Sequence, residues 1–262
     1  MANFPLVSSI TPTVLGVAAA SIDVAMPASV SAGDLLIMMV VRDGLTTGTN
    51  LGTPAGWASI WNNSGGGTHR FAGYAKDAVG TEGGTTVNVT ITASDNDACA
   101  QVYQITNWHG DLTGVEDAQA SGANNPNPPT LTPSWGNTDT LWIAAYARDG
   151  AGAPDAYPTN YSTGQTYTES GATASFVAIA SARRELTAAT EDPGVFTQGS
   201  VNWIASTIAV RGIGPILVGG GSTGGKGKGG GKGGGTGSPP PPPGKLKTFG
   251  VGHWPLGTRK WF

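Results

Sequence analysis

The hydrophobic positions of the chain recur in short runs that are typical of β-strands. Val87, Val89 and Ile91 alternate with polar residues, so they share one face of an extended strand. Residues 34–41 and 141–147 are almost continuously apolar, which indicates strands that are buried on both faces. No run has the 3.6-residue stripe of an amphipathic helix.

Gly, Pro, Asn and Asp bound these runs, as they do at turns between strands. The predicted strands are Val14–Met26, Asp34–Arg42, His69–Ala78, Thr85–Thr92, Ala98–Thr106, Leu141–Arg148, Ser175–Ala182 and Trp203–Val210. This pattern predicts an all-β protein and excludes a helical bundle. The 42 glycines and 18 prolines agree with a fold that contains many tight turns.

One sequence motif occurs twice. Residues 33–44 (GDLLIMMVVRDG) and 138–150 (TDTLWIAAYARDG) both carry an aspartate before an apolar run, and both end in Arg-Asp-Gly. The chain therefore contains two similar halves, about 5–110 and 111–212. Such halves fit either a double-Greek-key jelly roll or two tandem sandwiches. We expect one jelly-roll-like antiparallel β-sandwich in which the two halves interdigitate.

Charge divides the chain into two parts. Residues 1–218 carry 7 basic and 17 acidic side chains, a net charge of −10, whereas residues 219–262 carry 7 basic and no acidic ones. Residues 219–237 contain 13 glycines and precede the prolines 239–243, a composition typical of a flexible linker that ends in polyproline. The predicted domains are a sandwich over 1–218, a linker over 219–244 and a tail over 245–262.

The tail combines aromatic and basic residues. Its 18 residues are too few to bury their own aromatic rings, and exposed apolar groups of this kind mark interaction sites. We therefore predict that the tail docks on a partner; the alternatives are that it packs back on the sandwich or stays disordered. The predicted anchor residues are Phe249, Trp254, Arg259, Lys260, Trp261 and Phe262.

Residue types that carry out catalysis or bind metals are sparse. The three histidines are scattered, and the single cysteine, Cys99, can neither form an internal disulfide nor build a zinc site. Residues 220–224 match the G-x-S-x-G nucleophile motif, but they lie within the glycine-rich linker and not between a strand and a helix. We expect no enzymatic activity, no cofactor and no bound metal.

Membranes and nucleic acids are not expected as partners. The longest strongly apolar run, Leu35–Val41, is far shorter than the roughly 20 residues that cross a bilayer. The first five residues, MANFP, do not resemble the start of a secretory signal. The acidic residues 1–218 would be repelled by the phosphates of a nucleic acid.

Tryptophans near the predicted strand ends suggest a site for glycans. Trp57 and Trp61, or Trp108, lie beside Asn and His residues and would form a stacking platform edged by hydrogen-bonding groups. In the alternative interpretation these tryptophans fill the open ends of the sandwich. The predicted glycan contacts are Trp57, Trp61, Asn62, His69, Trp108 and His109.

Four segments resemble β-sandwich proteins of tailed bacteriophages and related bacterial surface proteins. The segments are residues 32–37 (AGDLLI), 53–57 (TPAGW), 74–78 (YAKDA) and 138–141 (TDTL). The resemblance covers roughly residues 5–212 and includes no catalytic motif. It implies a virion component: a capsid decoration, head fibre or tail fibre protein.

Two functional hypotheses follow. The first is a structural protein on the surface of a bacteriophage particle, bound to other virion proteins of the capsid or tail and present as a homo-oligomer or in many copies. Its attachment through the tail is inferred from composition and not from the resemblance. The second is a glycan-binding adhesin that contacts polysaccharide on the host surface.

Overall fold

The structure is a computed structural model that describes residues 2–15, 19–44, 50–64, 69–91, 97–171 and 176–214. The predicted linker and tail lie outside the described residues. Within them the chain forms twelve β-strands and one 3-10 turn at Leu112–Gly114. The strands are β1 (Leu6–Leu15), β2 (Ser21–Ala25), β3 (Leu35–Arg42), β4 (Ala58–Ser64), β5 (Arg70–Asp77), β6 (Thr86–Thr90), β7 (Ala98–Thr106), β8 (Val115–Gly122), β9 (Thr138–Asp149), β10 (Thr163–Glu169), β11 (Val177–Ala188) and β12 (Trp203–Arg211).

These strands form two antiparallel sheets of five strands and one small pair. The first sheet has the order β1-β7-β3-β5-β4, the second has the order β10-β11-β9-β12-β8, and β2 pairs with β6. The predicted all-β sandwich is confirmed. The predicted interdigitation of the halves is wrong, because strands 6–106 supply the first sheet and strands 115–211 supply the second. Strands that are near in sequence pair with one another, as short connections favour.

The two sheets share one topology. Strand β3 at the centre of the first sheet corresponds to β9 in the second, the β4–β5 pair corresponds to β10–β11, and β7 and β1 correspond to β12 and β8. Across the sandwich, β1 contacts β10. A twofold rotation about an axis along the strands gives this arrangement. The repeated sequence motif therefore marks a structural duplication.

The inner core lies between the sheets. Ile37 and Met39 of β3 are fully buried in one cluster with Ile143 of β9 and Ile208 of β12. Burial of apolar surface contributes roughly 25 cal/mol per Å², so this contact between the halves is a main source of stability.

Each sheet is also covered on its outer face. Alternate residues of β3 pack under the β2–β6 pair, where Val24 and Val89 are fully buried. On the second sheet, Trp142 and Tyr146 of β9 pack with Phe196, which comes from a loop. The central strands are thus buried on both faces, which explains their nearly continuous apolar sequences.

A buried polar network joins the sheets inside the inner core. The hydroxyls of Tyr103 and Ser181 lie 2.7 Å apart, and Ser181 Oγ donates to Gln101 Oε1 at 2.7 Å. Gln101 Nε2 donates to Thr168 Oγ1 at 3.1 Å and to the carbonyl of Ile179 at 3.2 Å. The amide of Gln101 is thereby satisfied on both atoms, and β7 is fixed against β10 and β11.

The central strands of the two large sheets and strand β6 were predictable, whereas the edge strands of the two large sheets were not. The seven predictions from Asp34 onward are confirmed as β3, β5, β6, β7, β9, β11 and β12. The predicted strand Val14–Met26 is wrong as a single element, because β1 ends at Leu15 and β2 begins at Ser21, in a different sheet. Strands β4, β8, β10 and most of β1 were missed. These four are the sheet edges, and their partial exposure mixes polar and apolar residues.

Each edge strand of the two five-stranded sheets carries a feature that disfavours pairing with another chain. Strands β1, β4 and β10 contain register shifts, and β1 also contains Pro12, which has no N–H. Strand β8 has a regular register, but Asp117 shares the side of Val115, which packs on the inner core. Burial raises the pKa of Asp117. The hydrogen bond that Gln119 donates to this carboxylate lowers the pKa, but its effect is smaller. An inward-pointing carboxylate disfavours the addition of a further strand.

Gln101→Leu tests the polar network. The change leaves the buried hydroxyls of Thr168 and Ser181 without the amide, so we expect the free energy of unfolding to fall by about 2–3 kcal/mol. Tyr103→Phe removes only the end of the network and should cost about 1 kcal/mol. Urea unfolding followed by tryptophan fluorescence measures both losses. Equal losses for the two variants, or no loss for Gln101→Leu, would contradict this role for the amide.

Asp117→Val tests the protection of the β8 edge. Removal of the inward-pointing carboxylate makes that edge compatible with a partner strand, so we expect larger species than in the wild type, increasing with concentration. Asp155→Val removes a charge from an exposed loop residue and serves as the matched control. Sedimentation velocity over a concentration series measures the outcome. If Asp117→Val and Asp155→Val sediment alike, the carboxylate does not protect the edge.

Candidate functional site

The structure separates the tryptophans of the predicted glycan platform. Trp57 lies in the cluster on the outer face of the first sheet, whereas Trp61 and Trp108 lie in the inner core. Their exposed fractions are 7%, 4% and 3%, respectively. In this arrangement none of the three rings offers an open face for a sugar. Their positions agree with the alternative interpretation, in which the tryptophans fill the sandwich.

The surrounding residues explain why these rings are buried. The ring of Trp61 lies over Gly73, where any side chain would clash with it. It also meets the ring of Phe71 edge to face, with 5.3 Å between the ring centroids. The indole N–H of Trp108 donates to the carbonyl of Gly33 at 2.8 Å. Both indoles are therefore part of the packing that closes the sandwich.

The polar members of the predicted platform are also dispersed. Asn62 Nδ2 donates to the carbonyl of Leu51 at 2.7 Å, which fastens the loop before β4. His109 follows β7 and is half-buried, while His69 precedes β5 at the other end of the sandwich. Neither of the two alternative clusters, around Trp57 and Trp61 or around Trp108, therefore presents an exposed indole face. The predicted anchor residues lie outside the described residues: Phe249, Trp254, Arg259, Lys260, Trp261 and Phe262.

Charged side chains are buried together at the end of the sandwich that holds His69. Arg42 ends β3 and Asp43 follows it, Arg70 begins β5, and Asp97 precedes β7. All five residues belong to the buried class. Burial of a charge is costly unless the charge is paired or hydrogen-bonded. The end of the sandwich therefore depends on the mutual interactions of these groups.

Two of these residues are arginines on neighbouring strands. Arg42 and Arg70 are opposite one another in the β3–β5 register. Arg70 donates to Asn50 Oδ1 at 2.8 Å. Burial and the charge of Arg70 lower the pKa of Arg42, while the carboxylate of Asp43 opposes this shift. Asp43 thus offsets part of the repulsion between the guanidinium groups.

The repeated Arg-Asp-Gly motif brings its two aspartates near His69. Asp43 comes from the first copy and Asp149 from the second, and both favour the protonated form of His69. The glycines that follow, Gly44 and Gly150, have φ values of 112° and 107°, a conformation that favours glycine. The duplication of the fold thus places equivalent turns of the two sheets beside one histidine.

His69 is buried without a well-formed hydrogen bond. It is 2% exposed, and neither ring nitrogen has a hydrogen-bond partner of good geometry among the described residues, although the backbone at Ala147 favours protonation. Burial outweighs these favourable charges and lowers the pKa of His69. The imidazole is therefore neutral at pH 7 and gains charge only in acid. No group of three His, Cys, Asp or Glu residues in the described part of the chain is placed to hold a metal ion.

A cavity of about 300 Å³ lies at the opposite end of the sandwich. Both ends of the described chain meet there: Asn3 N donates to Asp139 Oδ2 at 2.6 Å, and Gly212 N donates to the carbonyl of Asp139 at 2.9 Å. Asn137, Thr187 and Arg211 also line the space, together with neighbouring backbone. We call this space the terminal cavity. Six of its nine lining residues carry polar side chains, and Ile213 with the two glycines beside it adds apolar surface.

Sequence analysis identified neither buried feature as a site. The residues of the terminal cavity come from separate parts of the chain, near 3, 137–139, 187 and 211–214, so no spacing brings them together. The charged cluster did leave a signal, because the repeat contains both Asp43 and Asp149. Their convergence on His69 depends on how the two sheets face one another, which the repeat alone does not specify.

Comparison of the chain with protein-family models, with curated proteins and with solved structures gives no match. Among the described residues, no helix has the length and hydropathy that a membrane span requires.

His69 predicts a pH dependence of stability. Because its pKa in the folded protein lies below the ordinary value of about 6.5, the unfolded chain takes up the proton first as the pH falls. The free energy of unfolding should therefore be greatest above about pH 7 and decrease below about pH 6.5. Asp149→Asn removes a carboxylate that favours protonation and should make this decrease larger. His69→Gln should make it smaller.

Urea unfolding at several pH values between about 5 and 8 measures these profiles. The difference between wild type and His69→Gln isolates the contribution of the imidazole from other titrating groups. Parallel profiles for these two proteins would show that His69 does not couple protonation to folding.

Proposed function

We propose that the chain is a structural protein on the surface of a tailed-bacteriophage particle. The β-sandwich is displayed, and the C-terminal segment attaches it to other virion proteins of the capsid or tail. The observation that carries this proposal is the position of the first and last described residues. Asn3 and Gly212 lie side by side at one end of the sandwich, and the predicted linker begins shortly after the last described residue, Gly214.

This position leaves most of the sandwich surface away from the point of attachment. The chain exits beyond Arg211, at the end of β12, while the opposite end carries the turns after β3 and β9. A domain that is attached at one end can present its opposite end and its two outer faces, because the linker does not cover them. Such a geometry suits a decoration or fibre protein.

The distribution of aromatic residues supports attachment through the tail. Of the six tryptophans in the described residues, five are buried and Trp135 is half-buried, so the sandwich uses its own indoles for packing. Trp254 and Trp261 follow the linker in a segment too short for a core of its own. A partner surface would bury them. The seven basic side chains of residues 219–262 favour an acidic partner.

Two of the four segments that resemble phage sandwich proteins, residues 32–37 and 74–78, hold turns of the first sheet. Asp34 Oδ2 accepts hydrogen bonds from Ser31 N at 2.8 Å and from Gln104 Nε2 at 2.7 Å. Lys76 and Glu82 form an ion pair at 2.9 Å. The resemblance therefore supports the proposal through the fold that these residues build.

The protected edges of the two five-stranded sheets agree with the display of many copies of this protein on one particle. Copies that are concentrated on one particle would pair through exposed strand edges unless those edges were protected. Register shifts in three edge strands and the inward carboxylate of Asp117 in the fourth provide this protection.

The experiment is cosedimentation with phage particles that lack this protein. We expect the full-length chain to pellet with the particles, and expect the 1–218 chain and the variant Trp254→Ala/Trp261→Ala/Phe262→Ala to stay in the supernatant. The control Lys226→Ser/Lys228→Ser/Lys232→Ser removes charge from the linker but keeps the aromatic residues, and it should still pellet. Thermal unfolding should give the 1–218 chain a melting temperature close to that of the full chain.

Two results would contradict this proposal. If the 1–218 chain pellets as well as the full chain, the tail is not the anchor. If no form pellets, attachment to a particle loses its support.

A further inference from the structure

We propose that the terminal cavity binds an uncharged sugar through the side chains of Asn137, Asp139 and Arg211. This site is distinct from the tryptophan platform predicted from the sequence. It does not rest on attachment to a particle.

Asp139 supplies a fixed acceptor in the cavity. Its Oδ1 accepts a hydrogen bond from Thr187 Oγ1 at 2.6 Å, and its Oδ2 accepts from the backbone N–H of Asn3 at 2.6 Å. These hydrogen bonds lower the pKa of Asp139, so the group is a carboxylate at neutral pH. Each carboxylate oxygen has a further lone pair that can accept a hydrogen bond from a ligand hydroxyl.

Arg211 supplies donors on the same cavity. It is the last residue of β12 and is half-buried, and its Nε is buried without a hydrogen-bond partner among the described residues. Thr138 Oγ1, also at the cavity, is likewise buried without a described partner. Buried polar atoms in folded proteins are nearly always satisfied by protein, water or ligand. Both atoms lie too deep to touch a ligand in the cavity, but they show that polar groups beside it lack partners among the described residues. The outer guanidinium N–H groups of Arg211 are the donors that a ligand would meet.

The charges of the cavity select the class of ligand. Asp139 and Arg211 carry opposite charges, so the attraction of one for an anion or a cation is offset by the repulsion of the other. A neutral polyol avoids both repulsions, and its hydroxyls can donate to Asp139 and accept from Arg211 and Asn137. The volume of about 300 Å³ lies at the lower limit for small-molecule sites and suits one or two sugar rings.

Saturation-transfer NMR with the full-length protein tests the site. The probes are glucose, galactose, mannose, rhamnose and N-acetylglucosamine, with glucuronate as the charged comparison, each at about 10 mM to detect millimolar affinity. We expect transfer to at least one neutral sugar and weaker transfer to glucuronate. If no neutral sugar shows saturation transfer, the cavity holds only water and the proposal is overturned.

Two variants then assign the binding to the cavity. Arg211→Met removes charged donors and should weaken the affinity for the bound sugar about tenfold, and Asn137→Ala, at an exposed residue, should weaken it about threefold. Their matched controls are Arg183→Met, at another half-buried arginine, and Asn127→Ala, at another exposed asparagine. Both controls should bind as the wild type does. Equal affinities for Arg211→Met and Arg183→Met would place the sugar elsewhere and overturn the proposal.

Discussion

The fit of the two sheets across the inner core is the interaction on which the rest of this structure depends. Every second residue of β7 faces β10 and β11: Cys99, Gln101 and Tyr103. These side chains form hydrogen bonds with backbone carbonyls and with the hydroxyls of Thr168 and Ser181. Apolar packing on both sides of this network excludes water. Burial also raises the pKa of the Cys99 thiol, which keeps the group protonated within the core. One half of the chain thus completes the core of the other.

This packing covers the outer faces of both sheets with apolar residues. The β2–β6 pair covers the outer face of the first sheet, and aromatic residues such as Trp142 and Phe196 fill the outer layer of the second. Two polar features of the described residues lie where the strands terminate. One end holds His69 among the turns of the duplicated motif, and the other holds the terminal cavity between Asn3 and Arg211.

Sequence patterns predicted the strands that are buried on both faces, because burial dictates the residue types of such a strand. They did not predict features that depend on contacts with residues distant in sequence. Continuous apolar runs identified β3 and β9, because strands buried on both faces have no polar side. Strand β8, with the sequence VEDAQASG, has no such run because it lies at an edge. Tryptophans near strand ends are compatible with a platform and with a core. The burial of Trp57, Trp61 and Trp108 agrees with a core, and it depends on contacts such as that of Trp61 with Gly73, which is distant from it in sequence. The repeat predicted similar halves, but not that each half forms its own sheet.

The central claim is that the two similar halves form one cooperative unit across the inner core. Native-state hydrogen exchange tests it directly by comparing the amides of β3, at the centre of the first sheet, with those of β9, at the centre of the second. If the halves complete one another, both sets exchange only through global unfolding and give the same free energy of opening. Exchange of one set at a clearly lower free energy, with the other still protected, would mean that each half folds by itself.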